Sequence, residues 1–146
     1  MMRRLFALVA MIVFGTVSAA IAQDSVTGQY EYMNHCAACH GEAADGKGPL
    51  VTYFNEPIPD LTVLALNNDG VFPFLETLMV VDGRTGLRGH GGAMPVWGDT
   101  FERDMPVLGE TFKREAVEKA GVYGAETIAR GRLLSLVEYL VTIQQD

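Results

Sequence analysis

The sequence predicts an all-α protein, and three observations carry that reading. Near the C terminus, Leu133, Leu136, Val137 and Leu140 recur at i, i+3, i+4 and i+7, the spacing of one helix face. Earlier in the chain, Gly28, Tyr32, Cys36 and His40 follow one another at successive i+4 steps. Between these stretches no run alternates apolar and polar residues in the manner of a strand, and glycines and prolines punctuate short apolar segments. At 146 residues the chain is long enough for one domain with its own core and short for two.

Taken in order, residues 1–22 read as a secretory signal peptide and residues 23–146 as the mature domain. Met1-Met2-Arg3-Arg4 is a basic start, the next ten residues from Leu5 are all apolar, and Ala20-Ile21-Ala22 is a small-x-small cleavage site. The competing reading is a retained anchor, because the mostly apolar span 5–22 approaches the ~18 residues of a membrane-crossing helix. Gly15, Thr16 and Ser18 favour cleavage.

Residues 25–40 read as a helix capped by Asp24 or Ser25. Gly28 in its middle costs about 1 kcal/mol relative to alanine, which points to another helix approaching closely there. Residues 41–49 form a loop by every local signal, and Pro57 and Pro59 keep residues 53–59 irregular. Residues 60–66 read as a short helix capped by Asp60 and ended by Asn67-Asn68-Asp69-Gly70. A second spans 73–81, opening on Pro73, with Phe74, Leu78 and Val81 at helical spacing. Residues 83–92 are too glycine-rich for a regular element and lead into Met94-Pro95-Val96-Trp97-Gly98. A charged helix follows over 111–119, broken by Gly121 and Gly124, and the last helix spans about 125–144.

The whole chain carries a formal charge of −7; removal of residues 1–22 takes away Arg3 and Arg4 and leaves nine basic against 18 acidic residues, a net charge of −9. Such a surface disfavours nucleic acid and anionic lipid and favours partners with a basic docking patch. The plainer reading is that acidity keeps a small secreted protein soluble.

Most of the soft-ligand chemistry lies in His35-Cys36-Ala37-Ala38-Cys39-His40-Gly41, which holds both cysteines and two of the three histidines. Cys36-x-x-Cys39-His40 is the attachment pattern of a c-type haem: two thiols to bond the vinyl groups and an imidazole for the iron. Positions i, i+3 and i+4 of a helical turn share a face, so the three side chains can meet one flat macrocycle. A disulfide across so short a loop would stabilise little. Thiol–disulfide exchange is the main rival, but that chemistry normally sits at a helix start after a strand. A zinc site falls short because two cysteines and one histidine do not close a tetrahedron.

On these residues the chain resembles the class I mono-haem c-type cytochromes of the bacterial periplasm. The resemblance implies the cytochrome c fold, with the N- and C-terminal helices packed crosswise around one covalently bound haem. It places Gly28 and Tyr32 against Leu136 and Tyr139 between those helices, gives the Pro49 carbonyl the second ring nitrogen of His40, and turns the Trp97 indole toward a haem propionate. It also implies a periplasmic electron carrier, not an enzyme, that serves redox partner proteins of an electron-transport chain and touches a membrane only through them or a retained N-terminal segment. A variant of the same role is a cytochrome subunit dedicated to one dehydrogenase or oxidase, with residues 102–118 as a plausible acidic docking surface. Pro59-Asp60-Leu61-Thr62, Gly70-Val71-Phe72-Pro73 and Asp82-Gly83-Arg84 resemble the middle of bacterial members with long inter-ligand segments.

His40 supplies one axial iron ligand, and methionine is the usual second in an electron carrier. Met33 shares a helix with the attachment site, and Met79 sits in an apolar stripe where methionine normally fills core. Met105-Pro106-Val107-Leu108-Gly109 nearly repeats Met94-Pro95-Val96-Trp97-Gly98, but it lies among Glu102 and Asp104 and lacks an indole. Met94 is therefore the expected ligand, with Met105 and His90 as alternatives. His35 is expected at the surface, and Arg84 and Arg88 either pair with propionates or are solvated.

Overall fold

The computed structural model describes residues 18–84, 94–103 and 109–145. Among them every regular element is helical: α1 (Ser18–His35), α2 (Ala37–His40), α3 (Phe74–Asp82), α4 (Trp97–Arg103) and α5 (Gly109–Thr142), with short 3-10 turns at Val51–Tyr53, Leu61–Val63 and Leu66–Asn68. No strand occurs among the described residues, and none of their helices is long and apolar enough to cross a membrane. The all-α expectation therefore holds.

The core forms where α1 meets α5. Ala129, Leu133, Leu136 and Leu140 make a fully buried stripe on α5, and Tyr32, Cys36 and Ala37 face it from the α1–α2 segment. Gly28 lets the backbones touch, since a Cβ there would overlap the Ser135 carbonyl and lie 2.8 Å from Tyr139 Cβ. One turn on, the rings of Tyr32 and Tyr139 pack with centroids 5.4 Å apart, and the Tyr32 hydroxyl donates to the Gly41 carbonyl at 2.6 Å. Gly28, Tyr32 and Tyr139 thus meet as the sequence predicts, and Leu136 is buried in the same core.

The same interface contains a buried ion pair. Arg132 of α5 donates from Nε and Nη2 to the two carboxylate oxygens of Glu31 on α1, at 2.6 and 2.7 Å, and from Nη1 to the Phe101 carbonyl of α4 at 3.2 Å. Its guanidinium carbon stands 4.2 Å from the Phe101 ring centroid. Glu31 is wholly buried and Arg132 nearly so. Removing one member of such a pair strands a charge in the interior, at a cost of about 3–5 kcal/mol.

Three expectations change. The first helix starts upstream, at Ser18, so neither Asp24 nor Ser25 caps it, and it pauses at Cys36, where Cys36 N–H still donates to the Tyr32 carbonyl at 2.8 Å. The break at residues 121–124 does not occur: α5 runs through Gly121 and Gly124 without interruption. A mid-helix glycine costs only about 1 kcal/mol against alanine, which a helix packed along its C-terminal half can absorb. The helix expected over 60–66 is replaced by two 3-10 turns, Leu61–Val63 and Leu66–Asn68, although Asp60 caps as expected, its Oδ1 accepting from the Thr62 N–H at 2.8 Å. The C-terminal tail secures these turns, with Gln144 Nε2 donating to the Leu61 carbonyl and Gln145 N–H to the Thr62 carbonyl, both at 2.8 Å.

Because Gly28 sits against backbone, Gly28→Ala should force α1 and α5 apart and lower stability by about 2–3 kcal/mol, within the usual range for overpacking. Denaturant melts of the purified protein check this, with Gly131→Ala, where an added Cβ meets nothing within 4 Å, as the control.

Candidate functional site

The side chains singled out in the sequence converge on two adjoining cavities. One, of about 340 Å³, is lined by Cys36, Cys39 and His40 on one side and by Met94, Pro95 and Trp97 on another, with Leu50, Phe54 and Ile58 completing an apolar wall. The other, of about 350 Å³, lies against Tyr32, Leu61, Leu64, Val80, Val81, Leu136 and Leu140. Cys36, His40 and Met94 belong to the walls of both. Cavities of this size and apolar lining suit a cofactor or drug-sized ligand.

The segment 36–40 presents Cys36, Cys39 and His40 together because α2 is a single turn whose N–H groups are satisfied locally. Cys39 N–H and His40 N–H both donate to the Cys36 carbonyl, at 3.1 and 2.9 Å. Cys36 is buried and Cys39 half-buried, and no disulfide joins them. Burial, with smaller contributions from Cys39 and Glu31, pushes the Cys36 thiol up to about 12.

His40 is buried, and its Nδ1 lies 3.1 Å from the Pro59 carbonyl oxygen. A carbonyl only accepts, so Nδ1 carries a proton and donates to it, and in the neutral ring this assigns the lone pair to Nε2, the nitrogen that can bind a metal. The orienting proline is thus Pro59, and the assignment of Pro49 is corrected. The physical reason lies in the loop. Gly48 N–H donates to the Cys39 carbonyl at 3.1 Å and Leu50 N–H to the Ala38 carbonyl at 3.0 Å, which folds Pro49 back over the end of α2, where it is exposed. Leu61 N–H donates to the Ala44 carbonyl at 2.8 Å, and Gly46, at φ +76°, packs so closely beneath the Ile58 carbonyl that a Cβ would overlap it. These contacts bring Pro59 alongside the histidine.

Met94 is half-buried at the cavity junction, three residues ahead of α4. Met33 is exposed on α1 and Met79 half-buried on α3. Met105, His90 and Arg88 lie outside the described residues, as does most of the predicted signal peptide. Trp97 opens α4, a helix that the sequence reading did not separate from its loop, and its ring packs 5.1 Å from that of His35 and 5.9 Å from that of Phe101. His35 is therefore not a surface residue: it lies between Trp97, Phe101 and Glu31, whose Oε2 is 3.3 Å from His35 Nε2. The presence of α4 against the last turn of α1 explains the difference.

Arg84 is engaged within the protein. Its guanidinium pairs with Asp82 at 2.5 Å and Glu126 at 2.6 Å, and these two partners hold its already high pKa higher still. Gly98 packs directly over this pair, because a Cβ would overlap Asp82 Oδ1 and Arg84 Nε. The Gly98 of the methionine motif and the Asp82-Gly83-Arg84 motif are thus two halves of one contact. Among the described residues, no three His, Cys, Asp or Glu side chains converge as a metal cage.

Glu31, Arg132 and Phe101 are the residues that sequence reasoning missed. Gly28, Glu31, Tyr32 and His35 stand at i, i+3, i+4 and i+7, and so do Ala129, Arg132, Leu133 and Leu136. The polar members of these two buried stripes are legible by position, although their residue types are rarely buried. No family model, curated protein or solved structure matches the chain.

Because thiolate is the reactive form, Cys36 as a free thiol in the folded chain at pH 8 should react with iodoacetamide at least about a hundredfold more slowly than in the denatured chain. Residue-resolved mass spectrometry of timed alkylation checks this; equal rates would contradict the burial of Cys36.

Proposed function

We propose that this chain is an electron-transfer protein of the bacterial periplasm, carrying one electron on a c-type haem bound through Cys36 and Cys39, with His40 and Met94 as axial ligands. The supporting observation is the shared wall of the two cavities. Cys36, His40 and Met94 border both, and Cys39 borders the first, so attachment thiols, a proximal imidazole and a thioether all face the same apolar volume. The residues fit the group: two thiols at the required spacing, and an imidazole with its tautomer set by Pro59.

When bound, a haem supplies a one-electron iron couple, and methionine ligation raises its potential. The chain's own residues hold and shield it. Leu50, Phe54, Ile58, Leu61, Leu64, Val80, Val81 and Leu140 line the two cavities and would keep water from a haem held there, a low-polarity environment that tunes the potential. Trp97 stands beside Met94 on the first cavity, where its indole can serve a propionate. The raised Cys36 thiol weighs against a thiol–disulfide oxidoreductase, whose attacking cysteine needs a lowered pKa. The acidic mature chain favours redox partners with basic docking patches.

Spectroelectrochemical titration of protein exported by a host with haem-attachment machinery should give one reversible one-electron wave. Met94→Ala should remove the sulfur–ferric-iron absorption band and lower the potential by roughly 100 mV or more, since the axial ligand is a main lever on haem potential. A Met94→Ala protein with an unchanged spectrum and potential transfers the axial role to Met105 or His90.

A further inference from the structure

We propose that Glu31 and Arg132 are positioning residues for Met94: their buried ion pair seats α4, and α4 fixes the segment that brings Met94 to the cavity. This inference rests on the reading of Met94 as an axial ligand. Met94 joins α4 through only Pro95 and Val96, so where α4 sits decides where the methionine sits.

The seat of α4 is made from both sides. Phe101, wholly buried, lies against the guanidinium of Arg132 and gives its carbonyl to Arg132 Nη1 at 3.2 Å. Gly98, one turn earlier, rests on the Asp82–Arg84 pair, which Glu126 of α5 completes. The rings of His35 and Trp97 close the gap toward the cavity. Arginine suits the role because its planar fork carries donors in several directions at once. Nε and Nη2 engage Glu31 as a bidentate pair and Nη1 remains for α4, so Glu31 fixes the orientation in which Arg132 reaches Phe101.

A merely structural pair and a positioning pair predict different outcomes. An apolar pair of similar volume can replace a buried ion pair with little loss of stability, but it cannot donate to the Phe101 carbonyl. The experiment compares the haem-loaded wild type with Arg132→Lys, which keeps a charge for Glu31 and loses the fork, and with the double variant Glu31→Leu/Arg132→Met. For each, the denaturation midpoint, the sulfur–ferric-iron band and the affinity of the ferric protein for imidazole, which competes with Met94, are measured. The expected result is a weakened band and about tenfold tighter imidazole binding in both variants, a typical coupling strength, with a near-wild-type midpoint in the double variant. Wild-type imidazole affinity and an intact band in both variants, whatever their stability, overturn the inference. Failure of both variants to hold haem while the wild type does assigns the pair to the fold as a whole and overturns it too. A loaded wild type without the sulfur band instead overturns the Met94 reading itself, and the inference with it.

Discussion

The contact between α1 and α5 is the constraint on which the rest of the molecule depends. Gly28 allows the two backbones to meet at Ser135, and that closeness sets how far every other group on the interface can reach. Tyr32 and Tyr139 pack one turn along, and Glu31 and Arg132 lie near enough for a direct two-point ion pair. A buried ion pair is weak evidence for stability in itself. Here it has a geometric consequence, because Arg132 Nη1 also donates to the Phe101 carbonyl of α4.

From that interface the site is built outward in two directions. Along the chain from α1, the turn at Cys36 carries both thiols and His40, and residues 41–61 wrap back so that Pro59 meets the imidazole. From α5, the Arg132 and Glu126 contacts hold α4 and the end of α3, and with them the approach to Met94. Attachment residues and methionine therefore reach the same cavities from separate anchors on one helix pair. Such an arrangement would suit the proposed role, in which the ligands must keep their places through repeated oxidation and reduction.

Legibility in the sequence followed the kind of interaction involved. That Cys36, Cys39 and His40 share a face, that Gly28 and Tyr32 do, and that α5 carries an apolar stripe were readable because short-range spacing determines which face such residues share. The role of Pro59 was not, because which loop proline meets His40 depends on backbone hydrogen bonds from Gly48, Leu50 and Leu61 that leave no trace in composition. Glu31 and Arg132 received no role from the sequence although their positions match the buried stripes, since charged residues are rarely buried, and His35 was expected at the surface because its enclosure depends on α4, which spacing along α1 does not reveal. The unbroken α5 shows the converse error: two glycines suggested a break that helix packing overrides.

The reading of the protein as a covalent haem carrier is tested most directly by the intact mass of the exported protein, measured after unfolding and without reducing agent. One haem added to the chain, with neither Cys36 nor Cys39 open to alkylation, is the predicted result. A chain of unmodified mass with both thiols reactive, from a host that loads other c-type proteins, would contradict it.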